Sequence, residues 1–249
     1  PSNQYMRPQL SDQVSVGFSR LLFDNNISIN NEYYYKWLNN QLEYKNGAAF
    51  LFADENYHER LAEGKGWGYG TEIQIEKPKG RLTGWLAYTL SWSYRKFDEL
   101  NNGEAFPFTY DRRHLFNAVV QYQLPRNWSF SANWTYRTGV AFDLPSARFL
   151  VYGLNYVEPE VAPIYGKQNA FRMPAYHRLD IGFVKKFKPK KYLESELSLS
   201  VYNVYSRRNP FFVYPDEEIT NSETGAYKYV YKQASLFPIL PSVSYNFKF

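Results

Sequence analysis

Apolar and polar residues alternate along most of the chain with a period of two. Ile27, Ile29, Tyr33, Tyr35 and Trp37 share one face of an extended segment, while Ser28, Asn30, Glu32 and Lys36 share the other. Leu82, Leu86, Tyr88, Leu90, Trp92 and Tyr94 alternate with Thr83, Ala87, Thr89, Ser91, Ser93 and Arg95. Phe116, Ala118, Val120, Tyr122 and Leu124 stand against Asn117, Gln121 and Gln123, and Phe130, Ala132, Trp134 and Tyr136 against Ser129, Ser131, Asn133, Thr135 and Arg137. Leu179, Ile181, Phe183 and Phe187 form a further face, as do Leu197, Leu199 and Val201. The final run sets Val243, Tyr245, Phe247 and Phe249 against Ser244, Asn246 and Lys248. The pattern predicts about nine strands, each long enough for the roughly 9–11 residues that a tilted membrane strand requires. No stretch carries a helical period.

The connections alternate as well. Asp24–Asn26, Lys77–Gly80, Pro125–Asn127 and Lys188–Lys191 are tight turns rich in Asp, Asn, Pro, Gly and Lys. Between them lie the long connections Asn39–Lys65, Phe97–Asp111, Thr138–Tyr176 and Pro215–Ala226. Short turns at one rim and long loops at the other are what an up-and-down transmembrane barrel produces, with the short side periplasmic and the long side extracellular. A soluble sandwich also alternates, but its strands usually run about 5–6 residues, and its loops need not sort by length. About nine strands is odd, whereas bacterial single-chain barrels use even numbers, so the chain reads as part of a larger wall.

Composition sharpens this picture. Aromatic residues make up 20% of the chain, with 24 Tyr, 19 Phe and 6 Trp, yet the mean hydropathy is negative. Alternating strands with rings gathered at two membrane interfaces reconcile the two facts. Cysteine is absent, which excludes a disulfide framework and thiolate metal ligation. The net charge of +5, from 29 basic and 24 acidic residues, is too dispersed for a nucleic-acid surface. The chain begins at Pro1 without a charged-then-apolar leader, as expected of a segment whose signal peptide was removed or lay elsewhere.

Several short elements then match a known family. Gly68-Tyr69-Gly70-Thr71-Glu72 opens a strand in the manner of TonB-dependent receptor barrels, and Tyr110-Asp111-Arg112-Arg113-His114 resembles the element that follows an extracellular loop there. Asn203-Val204-Tyr205 with Arg208-Asn209-Pro210 looks like the penultimate-strand element, and Ser242 to Phe249 like the terminal strand. The likeness spans nearly the whole chain and is closest to receptors of the Bacteroidota type. It implies an all-β, antiparallel transmembrane barrel of roughly 22 strands, of which residues 1–249 are the C-terminal portion, without plug, TonB box or early strands. It further implies an integral outer-membrane protein that takes up a nutrient ligand and uses no cofactor. Its partners would be TonB-ExbB-ExbD through the plug, the barrel-assembly machinery that reads Tyr245, Phe247 and Phe249, outer-membrane lipid, and a surface lipoprotein or other outer-membrane subunits. A receptor-derived structural subunit and an open porin are the rival readings.

No nucleophile elbow, phosphate loop or zinc signature is present, so the reading is not an enzyme. His58, His114 and His177 lack neighbouring ligands for a metal. Glu194 and Glu196 share a polar strand face, a spacing that invites comparison with catalytic carboxylate pairs but suits solvated lumen or plug contacts better. Arg112, Arg113, Arg137, Arg172 and Arg178 fall near the extracellular strand ends. They either form a cationic vestibule that attracts anionic solutes, or bind acidic neighbours such as Asp111 and Asp180 or the anionic outer leaflet. Phe142, Phe149, Tyr152, Tyr156, Tyr165 and Phe171 either stack on a ligand or pack their own loop.

Overall fold

The computed structural model describes residues 6–24, 26–45, 57–151, 160–189, 193–221 and 226–249. Among them, nine long strands follow one another as a single antiparallel meander. They are β1 (Leu10–Leu22), β2 (Ile27–Tyr44), β3 (Leu61–Lys77), β4 (Leu82–Phe97), β5 (His114–Leu124), β6 (Trp128–Arg137), β7 (Tyr176–Lys186), β8 (Glu194–Tyr202) and β9 (Leu240–Lys248). Each pairs with its neighbours in the chain, so every connection is a hairpin and none crosses the sheet. None of the described helices is long and apolar enough to span a membrane.

The registers turn the period of two into two continuous faces. Ile29, Ile75, Leu86, Ala118, Trp134 and Leu179 stand opposite one another from β2 to β7, forming one apolar row. Lower on the same face, Leu82, Tyr122, Phe130, Phe183, Leu199 and Val243 form another. Shifted by one residue, Thr83, Gln121, Ser131, Gly182, Ser200 and Ser242 make a row on the opposite face that is polar or small throughout. A slip of one residue in any strand would place polar groups among the apolar row, so the two faces fix the register. The apolar face is open even on strands paired at both edges: Tyr33 is 52% exposed, Leu82 46% and Tyr122 36%. A soluble sheet would cover such a face, whereas lipid covers the outside of a barrel.

Apart from Ala141, the buried apolar residues among those described are Ala62, Phe97, Leu100 and Phe106, in one cluster at the long-loop end. The wall therefore has no interior core of its own. Its rigidity comes from the ladder and from the loops packed on one rim.

The alternation of short and long connections holds. Short turns join β1 to β2, β3 to β4, β5 to β6 and β7 to β8, while the long connections lie between the other pairs. Two expectations need correction. The connection placed at Asn39–Lys65 is shorter, because β2 runs on to Tyr44 and β3 begins at Leu61. A bulge shifts the register between Leu38 and Gln41, with Asn40 at φ 52°. One extra residue reverses the alternation and hides the rest of the strand from a period-two reading. The connection placed at Pro215–Ala226 is wider, spanning residues 203–239 between β8 and β9. Pro145–Val151 pairs with Glu160–Tyr165, and Pro210–Asn221 with Ala226–Ser235, as hairpins beyond the wall.

The face assignment makes a direct prediction. Leu199 belongs to the lipid face and Ser198 to the interior. An arginine on the lipid face near the bilayer midplane costs about 2–4 kcal/mol, whereas interior substitutions are tolerated. Leu199→Arg should lower the folded yield of the full-length protein on refolding into lipid far more than Ser198→Arg. Equal yields would contradict the assignment.

Candidate functional site

The long-loop rim gathers buried and paired polar side chains among the described residues, and it begins with a gap in the ladder. Leu82–Leu90 of β4 pair with β5, and Tyr94–Arg95 pair with Phe106–Pro107, an earlier stretch of the same descending segment. Between these pairings the chain bulges away at Tyr110–Arg113. The Ser91 N–H still donates to the Arg113 carbonyl at 3.1 Å, and the Phe108 N–H to the Ser93 carbonyl at 2.9 Å. The Ser93 N–H faces the gap and has no strand partner. The Asp111 carboxylate accepts it at 2.7 Å. A side-chain oxygen thus takes the place of a missing backbone carbonyl, which a buried amide requires.

That substitution encloses a charge, because the Asp111 side chain is fully buried. Isolated burial would be prohibitive, and two guanidinium groups offset it. Arg113 binds Asp111 at 2.7 Å and lies against the rings of Trp92 and Tyr94, at 5.4 and 5.5 Å. Arg172, from the far end of the next long loop, binds the other carboxylate oxygen, and it also donates to the Asp111 carbonyl at 2.9 Å. Asp111 therefore ties the β4–β5 loop to the β6–β7 loop. Further ties run alongside. The Asn169 side chain donates to the Pro107 carbonyl at 2.9 Å, and its N–H donates to the Asp143 carboxylate. The Gln168 N–H donates to Asn101 at 3.1 Å, and Lys167 binds Glu104 at 2.8 Å. The Lys167 hydrogen bond and charge hold the Glu104 carboxyl below its ordinary range, and Glu104 raises the Lys167 ammonium in return.

Arg95, which sequence reasoning did not single out, seats the same loop. Its guanidinium lies 4.0 Å from the Phe108 ring centre and is laid flat across β3 at Gly66. A Cβ at Gly66 would come within 2.7 Å of that guanidinium and within 2.8 Å of the Tyr94 backbone carbonyl oxygen, which cannot move aside, so the close approach requires glycine.

A second gap lies at the β7–β8 end and is filled in the same way. The Asn209 carboxamide accepts from the His177 N–H at 3.0 Å and donates to the His177 carbonyl at 2.9 Å, as an opposing strand would. The Asp180 carboxylate accepts the Asn203 N–H at 2.9 Å. Arg178 binds Asp180 and donates to the phenols of Tyr176 and Tyr202, at 3.0 and 2.7 Å.

The five arginines picked out by sequence thus divide. Arg113, Arg172 and Arg178 are engaged with Asp111 or Asp180. Arg112 and Arg137 have no acidic partner among the described residues. Arg137 stacks over Tyr176 at 4.7 Å, and Tyr176 also takes the Arg178 hydrogen bond. Partial burial, followed by the charge of Arg137, lowers the Arg112 guanidinium below its ordinary pKa. The result is a strip of cations and phenols from Arg112 to Tyr202 along the rim, suited to anionic or hydrogen-bonding solutes.

The other candidates are placed as follows. His114 bonds the Tyr88 hydroxyl at 2.9 Å, and His177 that of Tyr205 at 2.8 Å. No group of three metal-donor side chains forms among the described residues. Glu196 accepts from Asn246 at 3.2 Å, and Glu194 stands opposite Lys248, both at the short-turn end. Phe142 pairs in register with Phe171, while Phe149 and Tyr165 are exposed. Tyr152 and Tyr156 lie outside the described residues. Tyr245, Phe247 and Phe249 form an exposed ring ladder along β9.

Comparison with known proteins now places the wall. Residues 1–204 match the family model described as TonB dependent receptor-like, beta-barrel. The chain belongs to this family. No curated protein matches the sequence. Among solved structures, this TonB-dependent receptor wall is similar to the ferric-catecholate import receptor Fiu of E. coli K12, with 15% identity and a TM-score of 0.57 over 99% of the chain. It is likewise similar to the ferripyoverdine receptor of the outer membrane of Pseudomonas aeruginosa, with 13% identity and a TM-score of 0.57 over 100% of the chain. A third is the ferric citrate transporter FecA, with 13% identity and a TM-score of 0.54 over 96% of the chain. At these identities the likeness is one of fold. The chain covers 28%, 29% and 31% of those receptors respectively, so it corresponds to part of a receptor barrel.

Two predictions follow from the rim. Asp111→Ala leaves the Ser93 amide and two arginines without their partner, a loss of about 3 kcal/mol locally. Limited trypsin digestion of the membrane-embedded full-length protein should then cleave near Lys167 and Arg172 much faster than in the wild type, and Asp111→Asn should fall between the two. The Glu104 contribution is present above the ordinary carboxylate range, because its folded value is depressed, and it fades as the pH falls through that value. Cleavage near Lys167 should therefore rise under acid in the wild type but show no such rise in Glu104→Gln.

Proposed function

We propose that the chain is wall, rim and loops of an outer-membrane TonB-dependent receptor that imports a nutrient ligand. The observation that carries the reading is the family match over residues 1–204, joined to a wall whose long loops are locked into a polar rim. In this reading TonB-ExbB-ExbD acts on a plug supplied outside residues 1–249, and the chain itself performs no catalysis. Arg112 and Arg137, with the phenols of Tyr176 and Tyr202, meet the anionic part of a ligand as it enters, while Arg113, Arg172 and Arg178 hold the rim in shape. The neighbours named for ferric-catecholate, ferripyoverdine and ferric citrate make anionic ferric chelates the first cargoes to test. The ring ladder of Tyr245, Phe247 and Phe249 supports a role in recognition by the assembly machinery, and the likeness of the motifs taken together supports the Bacteroidota type.

Sidedness tests the setting of this proposal. Single cysteines replacing Ala105 and Ala170, both exposed on the long loops, should label with an impermeant maleimide on intact cells. A cysteine replacing Lys79, in the β3–β4 turn, should label only after the outer membrane is opened. The reverse pattern would overturn the topology. For transport, cells making the full-length protein should accumulate one of the three chelates only when TonB is present. Arg112→Gln/Arg137→Gln should raise the half-saturating concentration about tenfold, as expected for losing a charged contact or two. Uptake that ignores TonB would contradict the proposal.

A further inference from the structure

On the lipid face, β3 and β4 present a fixed vertical order. Apolar pairs come first, with Ile75 opposite Leu86 and Ile73 opposite Tyr88. Above them Tyr69 stacks on Trp92 at 5.2 Å, and Trp67 on Tyr94 at 5.8 Å. One row higher stand Lys65 and Lys96, directly opposite each other. Hydrocarbon, aromatic girdle and cations is the sequence of layers at a membrane surface.

The lysine pair is an anomaly in its own strands. Directly opposed residues have Cβ atoms about 4.5–5.5 Å apart, and like charges there are destabilising. Nearby cations are neutralised: Lys45 binds Glu99 at 2.6 Å, and Arg113 binds Asp111. Lys65 and Lys96 have no acidic partner among the described residues. Glu63, the next residue on that face, lies one row farther from the membrane, opposite Leu42. The anion that suits the pair comes from beside the wall, at the height where lipid headgroups begin.

We infer that Lys65 and Lys96 form a binding site for the phosphate of an outer-leaflet lipid headgroup, with Trp67 and Trp92 beneath them against the upper acyl chains. Two ammonium groups converging on one phosphate give the site its affinity. The stacked rings set its height and keep it at the interface. The site rests on the proposed placement of the long loops outside the cell. It lies on the opposite face from the ligand strip, so it anchors the wall and does not feed the pore.

The test uses the full-length protein in dodecyl maltoside micelles, which carry no phosphate, titrated with fluorescent lipid A that carries its phosphates. Lys36 lies on the inner face, opposite Gly68 and level with the ring layer, so Lys36→Gln is the control. The wild type and Lys36→Gln should bind alike. Lys65→Gln/Lys96→Gln should bind about thirtyfold more weakly, and Lys65→Arg/Lys96→Arg should retain binding. Dephosphorylated lipid A should bind as weakly to the wild type as phosphorylated lipid A does to the double glutamine variant. Unchanged binding in that variant would overturn the site. Competition by inorganic phosphate at the same concentration as the lipid would show a free-phosphate site and also overturn it. A loss in Lys36→Gln alone would show that the two faces are reversed, so that the membrane placement itself fails.

Discussion

Inside a bilayer no water is available for an unpaired amide, so every backbone N–H and C=O of a spanning segment needs a partner within the protein. Strands β2 to β8 meet this demand with a partner on both edges, and β1 and β9 on one, and the two faces follow from the pairing. What distinguishes the chain is the treatment of the places where pairing lapses. At the rim the descending segment before β5 leaves its neighbour, and the Ser93 amide would be stranded. Asp111 reaches back and supplies the missing oxygen. Farther along the same rim Asn209 offers both a donor and an acceptor to His177, replacing a strand with one carboxamide.

Each repair has consequences for the loops. A carboxylate enclosed at Asp111 needs cations, and one of them, Arg172, comes from a different long loop. The same demand that completes the ladder therefore fastens two loops together, and Asn169, Gln168 and Lys167 extend that seam. Arginines that look alike in the sequence thereby acquire different work. Arg113 and Arg172 are held by a buried charge, whereas Arg112 and Arg137 have no acidic partner among the described residues, and Arg137 lies over the half-buried ring of Tyr176.

Much of the wall was legible because its signal is periodic. Trp134 and Asn133 declare opposite faces by parity alone, and the structure places them so. The tight turns at Lys77–Gly80 and Pro125–Asn127 announce themselves through Pro, Gly and Asn. The bulge near Asn40 was not legible, since one extra residue breaks the alternation and the continuation to Tyr44 then resembles a loop. The hairpin Pro210–Asn221 with Ala226–Ser235 was obscured for another reason. Outside the membrane neither face must be apolar, so Asp216 and Glu218 stand where a wall strand would carry rings. The rim itself was only half visible. The Tyr-Asp-Arg-Arg-His element drew attention to Asp111, but the link to Arg172 across 61 residues leaves no local trace. Asn203 and Asn209 stood out only as parts of a family element, and neither they nor Asn169 showed which backbone groups they serve.

The central claim is that one face of this ladder meets lipid and the other an aqueous interior, in the register described. A nitroxide scan through Trp128–Arg137 in the full-length protein, reconstituted in lipid, tests it most directly. Collision with oxygen, which partitions into the bilayer, is compared with collision with a water-soluble nickel chelate at each position. The account predicts oxygen maxima at Phe130, Ala132 and Trp134 and chelate maxima at Ser129, Ser131 and Asn133. A profile without that two-residue alternation, or one with the two sets exchanged, would contradict it.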